Sequence, residues 1–140
     1  MARIVVERVP EAAEAAAATI HAGLVAYNRS VLGDIEGECL TVSVRDDDGL
    51  IVGGAVGEVG FGYLFVRYLW VDGSLRGQDV GGRVLALLEE GARGRGAARV
   101  HLDTFSFQAP DFYRKQGYTE FGRLDAFPPG HSRHWMTKIL

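Results

Sequence analysis

A chain of 140 residues, 47% hydrophobic and 24% charged, is sized for one domain with a single core, read as 1–140. Its net charge of −3 argues against a nucleic-acid partner, whose phosphates ask for a basic face. One cysteine, Cys39, excludes an intrachain disulfide framework and a cysteine-built zinc site, and no apolar run reaches the roughly 20 residues of a bilayer crossing.

The stretch from Met1 to Glu7 is too short and too quickly charged for a signal peptide, so a reducing cytoplasm is expected, with no membrane partner. Arg3 to Val9, with Ile4, Val5, Val6 and Val9, predicts a strand. Pro10 suits the first turn of a helix, and Glu11 and Glu14 suit its positive end. The alanine-rich run carries that helix to about His21. Gly23 is expected to break it before a second short helix, Leu24 to Leu32. Leu40 to Val44 alternates like a half-buried strand, Asp46-Asp-Asp-Gly49 is a turn, and Leu50 to Val52 starts the return strand. Gly53, Gly54, Gly57, Gly60 and Gly62 then stud a strand-like region, where glycine marks bulges or close approach. Phe61 to Val71, rich in aromatic and β-branched residues, reads as a long strand. A helix from about Gln78 to Arg93, a strand Arg99 to Asp103, a loop Thr104 to Gln108 and a short helix Asp111 to Gln116 follow. Strands Tyr118 to Leu124 and Ser132 to Leu140 close the chain around the stiff turn Pro128-Pro129-Gly130. The order implies an α/β (α+β) fold: a mixed, largely antiparallel sheet with helices on it.

The chemistry-bearing stretch is Leu69-Trp-Val-Asp-Gly-Ser-Leu-Arg-Gly-Gln-Asp-Val-Gly-Gly82, a strand end, a turn and a helix start. A small-residue loop at a helix N-terminus gathers free backbone N–H groups and the positive end of the helix dipole, which suits an anion. Glycine lets a phosphate approach the backbone closely. No Gly-Lys-Ser/Thr follows, so it is not a P-loop, and the Gly-x-Gly-x-x-Gly spacing of a dinucleotide fingerprint is missing.

Arg76-Gly-Gln-Asp79-Val-Gly81 resembles the pyrophosphate loop Q/R-x-x-G-x-G/A of the GNAT superfamily of acyl-CoA N-acyltransferases, with Asp79 in place of the middle glycine. A second motif of that family, A-x-x-x-Y-x-x-x-G-F/Y, is matched by Ala109-Pro-Asp-Phe-Tyr113-Arg-Lys-Gln-Gly117-Tyr118, and the element order matches along nearly the whole chain. The resemblance implies a GNAT-like sheet with helices on both faces. It implies acetyl-CoA as acyl-donor cosubstrate, no metal, and transfer of an acetyl group to a primary amine of a small molecule or peptide by direct attack in a ternary complex. Dimers are common in the family, so a homodimer is admitted. Leu69, Trp70 and Val71 sit where the family bonds the pantetheine arm, and Arg76, Gly77, Gln78, Asp79, Val80, Gly81 and Gly82 where it grips the diphosphate. The strands on either side of that unit are expected to splay apart.

By the same resemblance Tyr113 stands where the family often places the general acid that protonates the leaving thiolate, a task open to a phenol with a pKa near 10. The base that deprotonates the amine is left open between His101, Asp103, Glu58 and ordered water. Alternation puts His101 and Asp103 on one face, opposite Val100 and Leu102, and His101 has the natural pKa for the task. Asp79 is expected to turn outward as a cap or first-turn residue, so that CoA still binds. His131 and His134, with His21, lack the spacing of metal ligands and are read as surface or substrate-loop residues. Trp70 is read as packing in the core in preference to walling the acceptor cleft. Asp79 and the open base keep an alternative function in view: a non-catalytic acyl-CoA-binding or sensing module of the same fold.

Overall fold

The computed structural model describes residues 1–34 and 36–140. The chain divides into two units, Met1–Ile35 and Glu36–Leu140. In the first, a single helix α1 spans Pro10–Leu32. Pro10 opens it, Glu11 and Arg29 lie at the ends that suit their charges, and the Gly33 N–H closes on Arg29 O at 2.8 Å with a positive φ at Gly33. Two expectations are corrected here. Residues 3–8 carry no strand, because β-branched composition alone supplies no paired neighbour. Gly23 does not break the helix: its cost of about 1 kcal/mol is offset by the strong helix formers around it.

The second unit carries a six-stranded sheet in the order β1-β2-β3-β4-β6-β5. Its strands are β1 (Glu38–Arg45), β2 (Ile51–Gly60), β3 (Tyr63–Val71), β4 (Arg99–Phe105), β5 (Thr119–Asp125) and β6 (Ser132–Ile139). Helices α2 (Val80–Arg93) and α3 (Pro110–Lys115) complete it. All neighbouring strands are antiparallel except β3 and β4, the two strands joined through α2. The β1–β2 turn forms as the sequence predicts, with Asp46 Oδ1 accepting from the N–H groups of Asp48 and Leu50 at 2.9 Å. Strand β3 starts at Tyr63 rather than Phe61, because Phe61 and Gly62 both take positive φ and form the hairpin turn. Strand β4 runs on to Phe105, two residues past the expected end, because Thr104 and Phe105 still pair with His134 and Arg133 of β6.

The core lies between the sheet and α2. Val84, Leu85, Leu88 and Ala92 recur at helical spacing and are buried against Leu64, Val66, Val100, Leu102 and Met136. Gly57 permits this approach: a Cβ there would come within 2.7 Å of Leu64 Cδ1 and 3.2 Å of Leu88 Cδ2. The same glycine adjoins a β-bulge. Val56 pairs with Tyr68 and Gly57 with Val66, so Arg67 has no partner on β2.

Candidate active site

β3 and β4 pair only over Tyr63–Phe65 against Arg99–His101. Beyond that point they diverge, which leaves the β4-facing edge of Val66–Val71 without a ladder. Two cavities fill the divergence. One, of about 450 Å³, is lined by Val66–Trp70, Asp103, Thr104, Gln108, Ala109 and Tyr113. The other, of about 360 Å³, is lined by Leu69, Val71, the loop Leu75–Gly77, Asp79–Gly82, and by Ala109 and Phe112 of the α3 region. They share Leu69 and Ala109, so loop, strand edge and Tyr113 belong to one continuous crevice.

The loop is made of backbone. The first helical bond of α2 runs from Arg83 N–H to Asp79 O at 3.2 Å, so the N–H groups of Val80, Gly81 and Gly82 precede it without an intrahelical acceptor. Gly77 has φ +80°, a glycine conformation. Asp79, the N-cap, has φ 55° and ψ 29°, the left-handed angles that the missing glycine would supply. Its side chain is exposed, but the expected outward-turned cap is not formed, since it bonds no N–H. It leans over the first turn instead, with Oδ1 2.5 Å from where a Cβ on Gly82 would lie. At Gly81 an added Cβ would meet the Phe112 ring at 3.4 Å, so the small residue lets α3 close against the loop.

Tyr113 is 7% exposed. Its ring packs edge-on against Phe112 and Tyr118, and its hydroxyl, which faces the crevice, makes no hydrogen bond among the described residues. Burial, with a smaller contribution from the Asp103 charge, pushes the phenol up to about 12, so it is protonated at neutral pH. Tyr118 behind it donates to the buried Glu89 at 2.7 Å, and Lys138 donates to both oxygens of the same carboxylate at 3.0 and 3.2 Å. That group ties α2, the end of α3 and β6 together under the crevice.

The three sequence-read bases part company. Asp103 lines the crevice and is held by Arg133, whose Nη2 and Nε lie 2.6 and 2.8 Å from Oδ1. His101 stacks on Phe65 at 4.9 Å, at the closed end of the strand pair, and does not line the crevice; burial lowers its pKa. Glu58 is ion-paired with Arg67, the bulged residue. Trp70, expected in the core, is 56% exposed and lines the crevice, because the bulge turns Tyr68 and Trp70 to the face away from α2.

His131 is exposed, as read from the sequence, but His134 is buried. It alternates inward with Ser132 and Met136 on β6, lies 2.8 Å from Ser132 Oγ through Nε2, and contacts Glu120 through Nδ1. That bond holds the Glu120 carboxyl below its ordinary range. Glu120 also accepts from Arg114 of α3 at 3.2 Å. A serine, histidine and carboxylate in line suggest a nucleophile triad, but Ser132 is buried and outside the crevice, so the row serves as a tether between α3 and the sheet. No period in the sequence announces it, since its members come from two strands and a helix.

The family profile described as Acetyltransferase (GNAT) domain matches residues 37–120. The acetyltransferase Atu2258 of Agrobacterium fabrum is 37% identical over 115 residues, 82% of this chain and 84% of that protein. Blasticidin-S acetyltransferase of Streptomyces morookaense is 39% identical over 93 residues, 66% of this chain and 68% of that one. A crystal structure of an acetyltransferase from Bacillus cereus superposes with a TM-score of 0.87 at 35% identity, covering 99% of this chain and 98% of that one. The chain belongs to the GNAT acetyltransferase family and is an acetyltransferase.

Proposed function

We propose that the protein transfers an acetyl group from acetyl-CoA to a primary amine of a small molecule or peptide, by direct attack with both substrates bound. The observation that carries this is the continuity of the crevice from the amide-rich loop to the open Tyr113 hydroxyl. In this reading the N–H groups of Gly77 to Gly82, with Arg76, hold the diphosphate, and the unpaired edge at Leu69, Trp70 and Val71 bonds the pantetheine amides. The fit is favourable, since a side chain on Gly81 would crowd the Phe112 ring that borders the loop. Acetyl-CoA supplies the activated acyl group. Tyr113 keeps its proton at neutral pH and donates it to the thiolate as the carbon–sulfur bond breaks. An N–H of the β3 edge steadies the negative charge that develops on the carbonyl oxygen. Among the candidate bases Asp103 alone lines the crevice, so the amine proton leaves through water beside it. A reducing cytoplasm, where acetyl-CoA is made and the exposed Cys39 stays a thiol, is the proposed location. The blasticidin-S acetyltransferase relative supports a small-molecule acceptor.

The test is thiol release from acetyl-CoA with a panel of amines, beside a thermal shift with acetyl-CoA alone. Amine-dependent release is the expected result. The sensing-module reading is favoured by one observation, the Asp79 carboxylate leaning over Gly82. It predicts a thermal shift with no release on any amine. If acetyl-CoA gives no shift and Asp79→Gly restores one, the loop is disabled as it stands.

A further inference from the structure

Three phenylalanines, Phe105, Phe107 and Phe127, lie beyond the Asp103 side of the crevice without lining its cavities, and have no part in holding the fold's core. Phe105 lies on the same face of β4 as Asp103, two residues and so roughly 7 Å further along. Phe107 stacks on Phe105 at 5.2 Å and 10°, and Phe127 at 5.7 Å and 20°. Phe107 and Phe127 are 56% and 40% exposed. They are fixed from behind: the Arg133 guanidinium lies 5.1–5.2 Å from the rings of Phe105, Phe127 and Trp135 while it grips Asp103. His131 sets its edge on Phe107 at 5.0 Å. These rings come from β4, the loop after it and the β5–β6 turn, and they are nearly parallel. Solvent reaches an aromatic platform that is already ordered.

Charge narrows what can lie there. Among the residues lining the Tyr113 cavity the only acid is Asp103 and the only base is Arg67, while Asp79 and Arg76 belong to the loop cavity. Asp103 and Arg67 are neutralised, by Arg133 and by Glu58. A polyamine or amino sugar with several positive charges would find no surplus carboxylate. A single amine on a flat ring would find Tyr68 and Trp70 in the cavity lining and the stacked phenylalanines one step along β4 from Asp103.

Resting on the acetyl-transfer reading, we propose that the acceptor is a monoamine carrying a flat aromatic or heteroaromatic ring, which stacks on the Phe105–Phe107–Phe127 platform with its amine pointing toward Asp103 and Tyr113. Specificity then comes from the shape of the ring and not from counter-charge.

A matched pair of acceptors tests this: 2-phenylethylamine and 2-cyclohexylethylamine, alike in charge and reach but flat or puckered, with spermidine as the polycation. The expected kcat/KM for the flat amine is about tenfold above the puckered one, with spermidine lowest, as one or two aromatic contacts would give. Phe107→Ala and Phe107→Leu, the second retaining apolar bulk, remove that preference and leave the KM for acetyl-CoA unchanged. Equal rates for the flat and puckered amines, or equal losses on both in the variants, overturn the proposal. So does a drop in solution mass of Phe107→Ala by light scattering with the preference intact, which makes the rings a contact between copies. A binding arm needs no turnover: saturation-transfer NMR on indole should show ring protons touched by the wild type and much less by Phe107→Leu, and no transfer to the wild type overturns the ring site. Ring contact with no thiol release from any amine sinks acetyl transfer alone, whereas release without ring preference sinks this inference alone.

Discussion

The two walls of the crevice are built from different materials. The wall formed by the loop and the β3 edge is main chain: amides ahead of the first helical bond, a glycine at positive φ, an aspartate taking a glycine's angles, and a strand edge without a ladder. The wall toward β4 is side chain: the Asp103 carboxylate and Thr104, backed by an arginine that holds the carboxylate and stacks among phenylalanines beyond it. A ligand common to a whole family can be gripped by peptide groups every chain possesses. A ligand particular to one member must be met by side chains that differ. On the proposed function, the first wall is the general half of the site and the second the individual half.

Substitutions that act on one wall alone put this division at risk. Tyr113 sits between the two, and its loss should be the largest. Tyr113→Phe is expected to lower kcat about 100-fold, the usual range for a missing general acid, with little change in the KM for acetyl-CoA. An unchanged kcat would leave the phenol only packing. Gly81→Val should strike the main-chain wall. Its Cβ already lies 3.4 Å from the Phe112 ring, and overpacking of about 2 kcal/mol would weaken CoA binding about 30-fold by calorimetry, leaving acceptor KM nearly untouched. Arg133→Gln should do the opposite, loosening Asp103 and the rings, raising acceptor KM about fivefold and leaving CoA affinity alone. Equal effects on both ligands in either variant would erase the distinction.

The smallest effect belongs to His101, which faces neither wall. His101→Phe should keep kcat within about twofold, which separates it from a base in the reaction. Burial depresses its folded pKa, so below about pH 6.5 the unfolded chain takes up the proton more readily and stability falls with it. The variant should lose less of its melting temperature on acidification than the parent does. An equal acid loss would mean that the histidine titrates alike in both states.

The same contrast explains what could be read from the residues alone. Glycine and tyrosine spacings in two short motifs announce a main-chain site, because peptide groups can be aimed only where local sequence permits the turn. The side-chain wall has no local signature: Asp103 meets Arg133 across 30 positions. His134 looks like a loop histidine until β6 turns it inward beside Met136. The studded glycines foretold a bulge or a close approach, and Gly57 provides both, but not that Arg67 would be the residue left over. At residues 3–8 and at Gly23 the preference of single residues misled: β-branched side chains found no paired neighbour, and one glycine was outvoted by the helix formers around it.

That leftover residue has a consequence for anyone editing the chain. Before it, Leu64 and Val66 face inward; after it, Leu69 and Val71 do, so the count along β3 skips a beat at Arg67. Deleting Arg67 alone would remove the bulge and set Val66 and Leu69 two steps apart, so plain alternation keeps Leu69 inward and Tyr68 and Trp70 outward, with the pairs Gly57–Val66 and Val56–Tyr68 intact. Length is negotiable at this one place: a variant lacking Arg67 should stay folded, whereas loss of one residue from Val100–Asp103 of β4, where every position pairs with β6, should not be tolerated.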